Sequence, residues 1–174
     1  DQGTIFVSMP GVPFEMKRLM TDHVLPRLQA QFQIAPIEHV VVMTAGLGES
    51  FLAQKIADWE DALPKNFKLA YLPSFGAVRL RLTGIADGQP DLRGRMLALL
   101  PVLRERIGEY IFAEEETTLE AAIGKLLLAK GLTIGTAESC TGGLVAQRLT
   151  SVSGSSGYFR GGIVAYHNDI KQEE

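Results

Sequence analysis

A single cysteine, Cys140, stands among the 174 residues. No internal disulfide can form, which fits a reducing cytosol. No apolar run approaches the roughly 20 residues that a membrane span requires, so a membrane protein is not expected. The opening residues carry no basic-then-apolar leader, so nothing points to secretion and the expected location is cytoplasmic. An excess of basic charge is missing too. The 17 Lys and Arg against 20 Asp and Glu leave a net charge of −3 and a pI near 5.7, without the basic surface on which nonspecific nucleic-acid binding draws. The three histidines, His23, His39 and His167, are scattered, with no second ligand at metal-like spacing, which argues against a zinc site. What is present is globular: 46% hydrophobic, 21% charged and 7% aromatic residues, too apolar for a disordered chain. The chain opens at Asp1 rather than Met and closes at Glu174 in a polar run. It reads as part of a larger protein.

Three segments are expected. In residues 1–30, Thr4 to Met9 is β-rich, Pro10 to Pro13 breaks it, and Pro13 suits a first helical position, where its missing N–H costs nothing. Phe14, Met16, Leu19, Met20 and His23 or Val24 then approximate helical spacing, with Pro26 set to end or bend the helix. Residues 31–113 read as a self-contained α+β module of order strand, helix, strand, strand, helix, short strand, with helices on one face of a small sheet. Its strands are expected over Ile37 to Thr44, Phe67 to Leu72 and Ala77 to Thr83. In the last, Val78, Leu80 and Leu82 alternate with Arg79, Arg81 and Thr83, the pattern of a half-buried strand. The first helix should bury Phe51, Leu52, Ile56 and Trp59, and the second should be irregular near Pro101. In residues 114–174, Glu114-Glu115-Glu116 reads as a solvated linker. Thr117 and Glu120 are spaced as a capping box, and Gly131 is a helix stop. Strands over Leu132 to Ala137 and Gly161 to His167 flank a helix opened by Thr141-Gly142-Gly143, an α/β beginning.

The run Ala137-Glu138-Ser139-Cys140-Thr141-Gly142-Gly143 carries the chemistry. It puts two nucleophile-bearing residues where a strand turns into a helix, and open α/β sheets bind ligands at the carboxyl ends of their strands. A helix start offers unpaired N–H groups, and glycines let backbone approach a ligand. The backbone N–H groups of Cys140, Thr141, Gly142 and Gly143 are therefore candidate oxyanion donors. A simple turn is the plain alternative.

That run, followed by Gly154-Ser155-Ser156 and by Gly161-Gly162-Ile163-Val164-Ala165-Tyr166 with Lys171, closely resembles the CinA C-terminal family, whose members are nicotinamide mononucleotide amidases. Met9 to Lys17 looks like the end of a CinA N-terminal domain of MoaB/MogA-like (molybdopterin-binding-like) α/β fold, and Gly46-Leu47-Gly48-Glu49-Ser50 resembles the start of the KH-like central module. The resemblance covers the chain in three parts: 1–30 as the end of the MoaB-like domain, 31–113 as the KH-like α+β module, and 114–174 as the beginning of the α/β amidase domain. It implies hydrolysis of a pyridine nucleotide carboxamide, with Ser139 as nucleophile, Tyr166 and Lys171 as catalytic partners and Ser156 as a substrate-site serine. No cofactor is implied for that reaction. The resemblance also implies a homodimer, competence or DNA-damage roles, and a second activity, ADP-ribose hydrolysis with a possible divalent metal, in an N-terminal domain whose site these residues do not contain. Cys140 is the rival nucleophile, with His167 as its conceivable base; a buried packing role is the plainer reading of a free cysteine. The central module departs from the GXXG clamp of nucleic-acid-binding KH domains, because Gly48 is followed by Glu49, and residues 31–113 hold nine basic and nine acidic side chains. A structural or dimer-contact role is expected there rather than RNA binding.

Overall fold

The structure, a computed structural model, describes residues 4–32 and 35–173. Residues 4–9 are not a strand. Their β-rich composition is overridden because a strand needs a neighbour to take its N–H and C=O groups, and among the described residues none pairs with them. Helix α1 (Pro13–Leu19) opens with Pro13 as expected. Pro26 neither ends the helical stretch nor sharply breaks it. A widened π-helical turn, Met20–Val24, carries the chain into α2 (Leu25–Gln31), and the Leu25 N–H donates to Met20 O, five residues back. The wider turn accommodates a proline ring that would clash with the carbonyl four residues earlier in a regular helix. None of these helical residues is buried, and Phe14 is 79% exposed.

The next unit is a four-stranded antiparallel sheet of order β2-β3-β1-β4, built from β1 (Ile37–Ala45), β2 (Phe67–Ser74), β3 (Ala77–Ile85) and β4 (Ile111–Ala113). Helices α3 (Glu49–Asp61), α4 (Leu92–Leu97) and α5 (Leu100–Ile107) complete it. The alternation seen in the sequence sets the faces. Val40, Val42 and Thr44 of β1 lie opposite Leu82, Leu80 and Val78 of β3, and all six are buried. Thr44 enters this apolar layer because its hydroxyl donates to Val78 O at 2.8 Å. Leu52, Ile56 and Trp59 of α3 and Met96, Leu100, Leu103 and Ile107 of α4 and α5 cover the layer. Phe51, expected in that face, is instead 63% exposed: at 100° per residue it falls outside the stripe that Leu52, Ile56 and Trp59 define. The irregularity expected near Pro101 is the break between α4 and α5.

The acidic run is not simply solvated. Glu114 pairs with Arg104, Glu115 with Lys125 and Glu116 with Arg79, so each carboxylate has a cation on one of the two flanking units. Beyond it come α6 (Leu119–Lys130), β5 (Ile134–Glu138), α7 (Leu144–Thr150), a single 3₁₀ turn (Ser155–Gly157), β6 (Phe159–Val164) and α8 (Ile170–Glu173). The helix cap is Thr118 rather than Thr117, its hydroxyl accepting from the Ala121 N–H. With Thr118 as the cap, Glu120 falls at the second helical position and not the third, so no capping box forms, and its carboxylate is buried against Arg148 of α7. Gly131 ends α6 in the left-handed conformation, with Leu132 N–H donating to Leu127 O, the expected stop. Strands β5 and β6 pair in parallel. Between them and α6, Tyr158 is buried, its hydroxyl donating to Leu149 O at 3.1 Å. Gly124 makes room for that ring: a Cβ there would lie 2.8 Å from three of its atoms.

Candidate functional site

Parallel pairing sends the carboxyl ends of β5 and β6 to the same edge. Glu138, the last residue of β5, stands opposite Val164, the last of β6, and the Ala165 N–H donates to Glu138 O at 2.8 Å. Ser139 and the segment that begins at Tyr166 therefore leave the sheet side by side. Ser139 is half-buried at the start of a tight turn in which Gly142 N–H donates to Ser139 O and Leu144 N–H to Thr141 O, each at 3.0 Å. Gly142 and Gly143 have φ of +60° and +93°. Two successive residues in this region are what a glycine pair allows and other side chains resist, so the Gly-Gly of the motif is what lets the chain enter α7 immediately after the nucleophile candidates.

The residue that organises the turn is Glu138, which the sequence pattern did not single out. It is 6% exposed, and its carboxylate accepts from Val145 N–H at 3.0 Å and Ala146 N–H at 2.8 Å. Burial opposes its ionisation, but those two N–H groups, the Thr141 hydroxyl and the Gly143 N–H outweigh it and hold its carboxyl below the usual glutamate range. A signal for it was present: a lone carboxylate closing an apolar strand directly ahead of a Gly-Gly helix start is the charge that a helix N-terminus attracts. The consequence reaches the four candidate oxyanion donors. The Gly142 N–H is taken by Ser139 O, and the Gly143 N–H faces Glu138. Those of Cys140 and Thr141 have no acceptor among the described residues.

Other candidates fall in different places. Tyr166 is 72% exposed just past β6. Lys171 lies on α8, exposed, its Nζ donating to Asn168 Oδ1 at 3.4 Å. Cys140 is exposed, not packed, and the His167 Nδ1 accepts from Asp169 N–H at 3.3 Å. Ser156 is not brought to this edge. It sits in the 3₁₀ turn ahead of β6, where Ile134 N–H donates to Tyr158 O. That is the amino end of the strand pair, about 16 Å from the carboxyl end at roughly 3.3 Å per residue. A groove of about 780 Å³ lies between β4 and α6, lined by Ile111, Phe112, Leu119, Ile123 and Leu126 among others, and no residue of the 137–143 turn lines it. Among the described residues no three His, Cys, Asp or Glu side chains form a group able to hold a metal ion, and no helix is long and apolar enough to cross a membrane.

Comparison with known proteins places these units. Residues 39–113 match the family model described as the damage-inducible protein CinA KH domain, and residues 116–174 match the CinA C-terminal domain. A CinA-like protein of Flavobacterium psychrophilum is 49% identical over 171 residues, covering 98% of this chain and 41% of that protein. One from Cytophaga hutchinsonii is 46% identical over the same shares. The chain thus spans about two fifths of the length of the curated relatives it matches. Among solved structures, the competence/damage inducible protein CihA of Agrobacterium tumefaciens is 45% identical where it aligns, over 32% of this chain and 33% of that one, with a TM-score of 0.31.

Proposed function

The chain belongs to the CinA family, and on that premise we propose that it carries part of the site of an amidase acting on nicotinamide mononucleotide. In this reading the Ser139 Oγ attacks the carboxamide carbon. Its proton passes to Lys171, with Tyr166 orienting or relaying, and the tetrahedral oxyanion is held by backbone N–H groups of the turn, chiefly those of Cys140 and Thr141. The C–N bond then breaks, ammonia leaves with the proton, and water hydrolyses the ester to give nicotinate mononucleotide. Lys171 is exposed, and in this reading substrate or further chain packs over it and excludes water from the amine that takes the Ser139 proton.

The observation that supports this reading is the parallel register of β5 and β6, which delivers Ser139 and the Tyr166–Lys171 segment to one sheet edge. Gly143 and Gly142 contribute as turn formers that bring backbone close to substrate. Ser156, at the other end of the strand pair, belongs to the same substrate site only if chain beyond these residues or a second subunit bridges the distance. The test is ammonia release from nicotinamide mononucleotide by the protein extended to the length of its relatives. Ser139→Ala is expected to lower it by about a thousandfold or more, and Cys140→Ala to leave it within about threefold, well under the loss of a nucleophile. Near-wild-type release by Ser139→Ala overturns the assignment.

A further inference from the structure

We infer that Glu138 is a positioning residue for the nucleophile turn: by occupying the N–H groups of the first turn of α7, it holds Ser139–Gly143 on its path and leaves the Cys140 and Thr141 N–H groups for the reacting oxygen. This rests on the amidase reading of Ser139. Four donors at a helix start have no partner within the helix, and serine and threonine hydroxyls are among the groups that serve them best. Ser139 and Thr141 both lie within a few residues of that start. Without a carboxylate on the Val145 and Ala146 N–H groups, a nearby hydroxyl is drawn onto them, and a serine that caps a helix is not presented to a substrate. Glu138 removes this competition. It is anchored on both sides, since its own carbonyl accepts from Ala165 N–H while its carboxylate holds α7. The last residue of β5 thereby ties together the end of β6, the turn and the helix. The same occupancy means that α7 offers its first-turn N–H groups to the protein's own carboxylate and not to a substrate phosphate.

Glu138→Gln tests the idea in the protein extended to the length of its relatives. The amide matches the carboxylate in size but retains one acceptor oxygen, and its NH₂ confronts the other helix N–H. Below its melting transition, with folding verified by circular dichroism, Glu138→Gln is expected to lower kcat by about 10–1,000-fold, the range for losing an aligned donor or its support, with KM within about twofold because substrate binding is not the step affected. A crystal structure of the variant should show the 139–143 turn displaced or a hydroxyl of Ser139 or Thr141 on the Val145 or Ala146 N–H. A merely structural role predicts a lower melting temperature with unchanged kcat per folded molecule. That result, or a variant structure whose turn follows the wild-type path with both hydroxyls off the helix end, overturns the inference. Absence of ammonia release by the wild-type protein defeats the amidase reading instead, and the variant structure still decides the role of Glu138 in the turn.

Discussion

Fourteen apolar side chains fill the core between the four-stranded sheet and its helices in residues 37–113. In residues 119–173, by contrast, Leu149 and Tyr158 are the apolar side chains buried to that degree among the described residues, and two glutamates, Glu120 and Glu138, are buried with them. The first unit is held by apolar area removed from water, which is insensitive to charge state. The second relies more on charge-assisted hydrogen bonds, strong when made and costly when broken. The difference suits their content: a closed sheet-and-helix layer can be a rigid support, whereas a turn that presents a nucleophile needs polar groups fixed in place.

The contrast can be broken or sharpened experimentally, with Trp59, the one tryptophan, as a fluorescence reporter buried in the first core and hydrogen exchange along β5 and β6 as a reporter of the second unit. The largest effect is expected from Leu52→Ala, whose side chain is fully buried on α3. It should destabilise the first unit by about 2–5 kcal/mol, read as an earlier Trp59 transition with β5–β6 exchange little changed. An equal loss of protection in both units would mean that they melt as one. Next comes Gly124→Ala. The added methyl meets the Tyr158 ring at 2.8 Å, a rigid neighbour held by its hydroxyl bond to Leu149 O, so overpacking of about 1–3 kcal/mol outweighs the gain of up to about 1 kcal/mol in helix propensity. Faster β5–β6 exchange without a Trp59 shift is the expected signature, and a stabilised variant would show that the ring moves freely.

Acid separates the units by mechanism. Burial works against the Glu120 and Glu138 carboxylates, but helix N–H groups and, for Glu120, the Thr118 hydroxyl and Arg148 hold both below the ordinary glutamate value. A depressed folded pKa means stabilisation that is present above the unfolded value of about 4.3 and is lost as pH falls through the lower folded one. On titration from pH 7 toward pH 3, β5–β6 protection should therefore fall while Trp59 fluorescence is still native; the reverse order would refute the charge-based account. The smallest effect is expected from Arg79→Ala. Its partner Glu116 is largely exposed, and surface pairs of this kind contribute little, so both transitions should stay within experimental scatter.

Much of this was legible in the sequence because it depends on local periodicity. Alternation at Val78, Leu80 and Leu82 marks a half-buried strand wherever that strand pairs, Pro101 interrupts a helix through its own ring, and Gly131 adopts a conformation that other residues avoid. What depended on partners was not legible. Thr4 to Met9 has the composition of a strand but no neighbour among the described residues to pair with. Thr117 and Thr118 are equally good caps by type, and the helix that starts at Leu119 takes Thr118, which leaves Glu120 one position short of a capping box and free to pair with Arg148 on a different helix. Ser156 sits close in sequence to the other candidates yet lies at the far end of the strand pair, because a parallel sheet separates the loops entering its strands from those leaving them.

By itself, then, the order of residues determined which strand faces are apolar, that a helix breaks near Pro101 and another stops at Gly131, and that a Ser-Cys-Thr-Gly-Gly turn comes after a strand, since each is set by backbone sterics and side-chain periodicity within a few residues. Tertiary structure decided which strands pair and in which direction, that Ser139 and Tyr166 emerge at one edge while Ser156 does not, and that Glu138 takes the helix N–H groups. Those outcomes depend on hydrogen bonds and burial between residues that local chemistry does not bring together.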